Sequence, residues 1–299
     1  MSKERSQEFR DALAQEYLNS TMTIAELSKK YHTDAAYQLK KHGVSLKGRF
    51  VQKMLSRGGC ISYKWDASTV STEEQAYTLG FLMADGYNTE HQVGLRLKLS
   101  DKAILERIKN CFSDEIKLQQ TAIDCSFVIS STIVCKNLLK FGIIKHKSYN
   151  EKQLPTIESS LIRHFIRGYF DGDGTVFICK SVKPNLLKCY ICSSTPNILK
   201  QIQDILIRNG IDCTINKENR IGKSYTINNS SCVSTMDMYR LFIRRKCAIE
   251  RLYHYLYDDA TIFLQRKYQI FTNNFNLLSY YKHVNTELTT QITKGCEVV

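Results

Sequence analysis

Apolar positions along the chain change period several times, and each change marks a new element. Near the start the period is helical. Phe9, Leu13 and Tyr17 recur every four residues within Glu4 to Leu18. Thr23 and Glu26 form a capping box ahead of Ile24, Leu27 and Tyr31. After a break at His32–Thr33, Asp34 can cap a further helix from Ala35 to Lys41 that ends near Gly43. Residues 46–70 lose the apolar period, and Lys47, Arg49, Lys53, Arg57 and Lys64 alternate there with Gly and Ser, as in a basic linker.

From Ser71 the patterns come twice. Ser71 and Glu74 read as a capping box for a helix that runs to Asp85. A strand near Tyr87–Thr89 follows, then an alternating one from Gln92 to Leu99, with Val93, Leu95, Leu97 and Leu99 on one face and Arg96 and Lys98 on the other. A helix from Asp101 to Cys111, strands near Ile116–Thr121 and Ser126–Ser130, and a helix from Thr132 to Phe141 complete the block. The second block has a helix to Asp173, strands at Thr175–Lys180 and Leu187–Ser193, and a helix at Pro196–Asn209. Strands at Asp212–Lys217 and Lys223–Asn228, then a helix at Met236–Phe242, finish the copy, and an extra helix is expected from Leu252 to Phe271. Phe127-Val-Ile-Ser-Ser-Thr aligns by eye with Tyr225-Thr-Ile-Asn-Asn-Ser. The expectation is an α+β fold of two α-β-β-α-β-β-α half-domains, related by a pseudo-twofold and bearing antiparallel sheets. The divisions are a helical module at 1–45, the linker at 46–70, half-domains at 71–152 and 153–271, and a peripheral tail at 272–299.

The helices that open the two blocks end alike. Residues 78–86 read Thr-Leu-Gly-Phe-Leu-Met-Ala-Asp-Gly, and residues 166–174 read Ile-Arg-Gly-Tyr-Phe-Asp-Gly-Asp-Gly. Gly80 and Ala84 share a helix face, as do Gly168 and Gly172, so each helix can approach a partner closely. The closing glycines suit a left-handed helix end. Asp85 and Asp173 sit where the helix dipole is negative, and side-by-side packing would set two anions together. Breaking a local rule twice in the same way points to a site. A divalent cation with oxygen ligands, Mg²⁺ first and Mn²⁺ as its substitute, relieves the conflict.

Composition narrows the function. Lys and Arg number 42 against 29 Asp and Glu, a formal charge of +13, which favours a polyanion and nucleic acid above others. Strand positions on the polar faces supply basic or polar side chains: Arg96, Lys98, Lys117, Gln119, Lys180, Lys183, Lys188, Asn216, Lys217, Arg220 and Lys223. Two such sheets would form a positive surface along a duplex, and Arg, Lys, Gln and Asn can read base edges. With Gln38, Lys40 and Lys41 on its second member, the N-terminal helical pair looks like a helix-turn-helix, the alternative being a small helical hairpin that only packs on the main body. Eleven scattered Cys, an odd number, suit reduced thiols inside a cell. The lone Cys189-x-x-Cys192 lies in a strand-like run, with no partner pair to make a zinc site. With no apolar run of membrane length and no leader pattern, an intracellular protein free of the membrane is expected.

The paired stretches resemble the two motifs of the single-chain LAGLIDADG homing endonucleases, over roughly residues 71–270. The resemblance implies a monomer that binds a long site in double-stranded DNA with its sheets. It also implies cutting of both strands with divalent metal and short 3′ overhangs. The motif's metal-binding acid falls on Asp85 and on Asp173, whereas Asp171 stands where the first copy has Met83 and does not take that role. A lysine near each metal is implied by the family, and Lys147 and Lys267 are chosen over Lys145 and Arg266. The other reading is a non-cleaving DNA-binding regulator or an RNA-splicing maturase on the same fold.

Overall fold

A computed structural model describes residues 6–20, 22–46, 61–147, 149–180, 186–227 and 230–274. The described chain is mixed helix and antiparallel sheet. Contacts divide it into two compact units, Met1–Ser62 and Tyr63–Val299.

The first unit holds α1 (Gln7–Asn19), α2 (Ile24–Lys30) and α3 (Ala35–Lys41). Thr23 and Glu26 cap α2 reciprocally, and the Asp34 side chain accepts the Tyr37 N–H at the start of α3. His32, at φ 46°, makes the break between them. Leu13, Ala14, Tyr17, Leu27, Ala35 and Leu39 form a closed small core.

In the second unit, the first half runs α4 (Glu73–Asp85), β1 (Tyr87–Asn88), β2 (Val93–Lys98), α5 (Lys102–Phe112), β3 (Gln119–Gln120), β4 (Asp124–Ile129) and α6 (Thr132–Lys140). Its sheet has the order β1-β2-β4-β3. Val93, Leu95, Phe127 and Ile129 turn inward, as do Ile104, Leu105 and Ile108 of α5 and Val134 and Leu138 of α6. The N-cap of α4 is Thr72 rather than Ser71, because Thr72 accepts the Gln75 N–H while Gln75 accepts the Ser71 N–H. Residues 63–70, expected as linker, are packed down: Trp65 is buried against Phe112 and donates to the Thr69 carbonyl. Residues 47–60 of that stretch lie outside the described residues.

The second half runs α7 (Ile162–Asp173), β5 (Gly174–Cys179), β6 (Leu186–Ser193), α8 (Pro196–Arg208), β7 (Thr214–Glu218), β8 (Ser224–Ile227), β9 (Ser230–Val233), β10 (Met238–Ile243), α9 (Lys246–Tyr257) and α10 (Gln265–Thr272). Here the expected order needs correction. The sheet is β5-β6-β10-β7, so the counterpart of β4 is β10, in residues expected to be a helix. Met238, Arg240 and Phe242 alternate with Tyr239, Leu241 and Ile243, and Leu241 and Ile243 are wholly buried. The strand that seemed to match β4 instead pairs with β9 as a separate two-stranded hairpin, inserted before β10. The final helix is likewise two, α9 and α10, parted by a turn in which Asp259 has φ 58°.

The halves meet along α4 and α7. A Cβ on Gly80 would overlap the carbonyl oxygen of Phe165, and one on Gly168 would overlap that of Tyr77. The contact is reciprocal, since 165 and 77 are as far apart in sequence as 168 and 80, which is the signature of a local twofold. The closing glycines are not left-handed. Gly86 (φ −71°) and Gly174 (φ −85°) are extended, and glycine is needed there because a Cβ would strike Leu82 and Phe170.

Gly80→Ala and Gly168→Ala each drive a methyl into backbone that cannot rotate away. Each should cost about 3 kcal/mol, the upper end of ordinary overpacking. Chemical denaturation checks this, and the two losses should be alike because the contacts are reciprocal.

Candidate metal and nucleic-acid site

The seam carries Asp85 and Asp173 to one end. A Cβ on Gly172 would lie 3.3 Å from Asp85 Oδ2, so the Asp85 carboxylate reaches across to the residue before Asp173. The Asp85 carboxyl is held above the usual carboxylate range. Crowding by surrounding protein is the larger cause and the Asp173 charge the second, although Asp85 keeps solvent access.

Lys147 and Lys267 both come to this end, each buried. The Lys147 ammonium donates to the carbonyls of Leu82 (3.0 Å), Ala84 (2.7 Å) and Gly86, the last turn of α4. Lys267 lies against the carbonyls of Phe170 (2.7 Å), Asp171 (2.7 Å), Gly172 (3.4 Å) and Gly174 at the end of α7. Each lysine therefore caps a motif helix and sets a positive charge against its negative pole. The three N–H donors of Lys147 have three carbonyl acceptors, so this geometry offers its charge rather than a proton. Burial brings both ammonium groups down to about 8. The charge of Lys152 adds to the effect at Lys147, and that of Asp171 opposes it at Lys267. Of the residues passed over, Lys145 is exposed and Arg266 is turned to Asp101, 3.1 Å away.

Sequence reasoning missed Lys152. It is buried, its Nζ is 3.5 Å from Asp173 Oδ2, and it lies over the Tyr169 ring at 5.6 Å. Its charge also lowers the proton affinity of Asp85 and Lys147. It stands in the connection between halves, outside any period, and only its position 21 residues before Asp173 hinted at a role: Lys64 stands 21 before Asp85. Lys64 differs, being exposed and paired with Asp114.

A hard divalent ion fits this donor set. Both acids are oxygen donors, and their mutual repulsion calls for positive charge. Among the described residues no group of three or more His, Cys, Asp or Glu side chains forms a metal cage. Mg²⁺ suits that arrangement, since it takes one or two carboxylates and completes its shell with water and substrate phosphate.

The sheets present the remaining candidates. Register sets Arg96, Lys98 and Gln119 on one face of the first sheet, with Arg96 3.7 Å from Asp124, and Lys117 is exposed just before β3. On the second sheet Lys188 is opposite Phe177 on the open face and Lys180 is exposed beyond β5. Asn216 and Lys217 cannot share a face. Asn216 pairs with Arg240 on the open side, whereas Lys217 lies in the row of Tyr239 and Ser193 and bonds Asp237 at 2.8 Å. Arg220 pairs with Glu218 and stacks on Tyr225, and Lys223 is exposed before the inserted hairpin. Lys183 lies outside the described residues. In the first unit Lys40 and Lys41 are exposed and Gln38 is half-buried. Reading β10 as a helix hid an open-side arginine, Arg240, which stacks on Tyr190 at 5.2 Å, and Arg244, just past the strand, stacks on Phe242 at 4.3 Å. Cys189 is buried on the inner face of β6 and Cys192 faces the other way, three residues on, so the pair cannot share a metal. No helix among the described residues is long and apolar enough to cross a membrane.

No curated protein matches the chain. Solved structures similar to it include the LAGLIDADG homing endonuclease I-GzeII in complex with its DNA target, at 15% identity, over 75% of this chain and 97% of that one, with a TM-score of 0.48. I-LtrWI bound to target DNA is similar at 14% identity, over 71% and 91%, TM-score 0.44. I-DmoI in complex with DNA and Ca is similar at 16% identity, over 64% and 91%, TM-score 0.41. Residues 160–256 match the family described as LAGLIDADG-like domain. The stretch that matches, residues 160–256, contains α7 and Asp173.

Proposed function

We propose that the chain is a site-specific, divalent-metal-dependent DNA endonuclease of the homing type. The observation that carries the reading is the convergence of Asp85 and Asp173 at one end of a glycine-packed seam, with three buried lysines around them. Asp85 and Asp173 would hold Mg²⁺. The ion, when bound, activates water and offsets charge on the phosphodiester undergoing hydrolysis. Lys147 and Lys267 fix the carbonyls at the two helix ends and keep the carboxylates tolerable there. Lys152 keeps positive charge beside Asp173, toward a phosphate approaching that acid. The open faces of the two sheets are the proposed duplex-binding surface, with Arg96, Lys98, Gln119, Lys188, Arg240 and Arg244 as its principal contacts. Cutting of both strands with short 3′ overhangs follows the family pattern, as does action as a monomer in a compartment that holds DNA.

The test is incubation with Mg²⁺ and DNA from the gene's own neighbourhood lacking the insert. Cleavage that stops with a chelator is expected, and tight binding without cleavage on every such DNA would sink the reading in favour of a regulator or maturase. Asp85→Asn and Asp173→Asn should each end double-strand cutting while duplex affinity stays near that of the native chain, as gel shift would report. Lys152→Met should lower the cutting rate by roughly ten- to a thousandfold, the range for losing one preorganised charge donor, with DNA affinity little changed. Removing residues 1–60 tests a DNA role for the first unit: weaker duplex binding is expected, with a shallower salt dependence as phosphate contacts are lost.

A further inference from the structure

We propose that Asp171 is a positioning residue whose buried carboxylate seats Lys267 at the end of α7. For its effect on cleavage this rests on the endonuclease reading. Asp171 is fully enclosed and two residues from Asp173, yet its carboxylate bonds Tyr77, Tyr257 and Leu264. Oδ2 accepts the Tyr77 hydroxyl of α4 at 2.8 Å and the Leu264 N–H at 2.7 Å, and Oδ1 accepts the Tyr257 hydroxyl of α9 at 3.0 Å. Leu264 is the N-cap of α10, and Lys267 follows within its first turn. One carboxylate therefore ties both motif helices to the start of the helix that delivers the lysine, and the same residue's carbonyl receives the Lys267 ammonium.

Two other charged groups complete the clamp. Arg167, wholly buried one turn earlier on α7, donates to the carbonyls of Leu256 and Ile262 at 2.8 and 2.9 Å and pairs with Glu73. Glu73 in turn accepts the N–H groups of Thr261 (2.7 Å) and Ile262 (3.3 Å). The turn between α9 and α10 is thus held by side chains of α4 and α7. In the first half Leu79 and Met83 stand at the positions of Arg167 and Asp171, so neither charged group of the clamp has a counterpart there. Lys147 is seated by other means: Asn88 donates to the Cys135 and Ile143 carbonyls, and Asn150 to the His146 carbonyl. Two lysines with one task are placed by unlike devices, so damage to the clamp should fall on one half of the site.

Amide hydrogen exchange and strand-resolved cleavage of Asp171→Asn test this. The variant should exchange faster across residues 258–272 and keep native protection in α4 and α6. On a supercoiled plasmid that the native chain linearises, it should accumulate nicked circles. One strand would be cut roughly ten- to a hundredfold more slowly, the effect of a small misplacement, at unchanged duplex affinity. Should Asp171→Asn fail to fold, Tyr257→Phe, which removes a single bond to the carboxylate, is judged by the same two readouts. Unchanged exchange over 258–272, or equal slowing of both strands, would overturn the proposal. If the native chain cuts no DNA, the endonuclease reading falls while the exchange result still decides the clamp.

Discussion

The structure depends on how closely α4 and α7 approach. At Gly80 and Gly168 each helix meets the other's backbone carbonyl, a separation no side chain permits. Everything catalytic in the proposal follows from that seam. Helices of nearly equal length, crossing at equivalent glycines, must end side by side, and each ends in an aspartate. Neither half could produce the site alone.

That geometry makes an electrostatic problem and then answers it. Two helix C-termini and two carboxylates concentrate negative charge. The fold responds from outside the motifs, with Lys147 and Lys267 on the terminal carbonyls and Lys152 beside Asp173. Burial pulls Lys147 and Lys267 down to about 8, so these ammonium groups are costly to enclose, and their bonds to the helix-end carbonyls offset that cost. Asp85 shows that the compensation is incomplete, its carboxyl still raised by crowding and by Asp173. A divalent cation has a place in this balance.

The sequence declared the seam openly, because small residues at helical spacing followed by Asp-Gly carry their geometry with them. It declared the first half nearly as well, since β2 is half-buried and Val93, Leu95 and Arg96 alternate in plain view. It misled where local pattern and pairing disagree. Tyr225-Thr-Ile looks like Phe127-Val-Ile, but nothing local tells an inserted hairpin from a sheet strand. Residues 238–243 are too short for the helical and alternating periods to separate. The lysines show the same limit: Lys147 and Lys267 were expected through a resemblance, with their bonds to the helix-end carbonyls unforeseen. Lys152 was missed because its partner, Asp173, is near only after folding. Asp171 was given no metal role and its actual one was unforeseen, because its partners Tyr257 and Leu264 are 86 and 93 residues away.

At the centre of the proposal, the seam brings Asp85 and Asp173 to one end as ligands for divalent metal. Loading the native chain with Fe²⁺ and adding ascorbate and peroxide generates radicals that sever the polypeptide beside the bound ion. Breaks should cluster near residues 84–86 and 172–174 together, be suppressed by excess Mg²⁺, and be absent when both aspartates are asparagine. Breaks elsewhere, or breaks that persist in the doubly substituted chain, would contradict it.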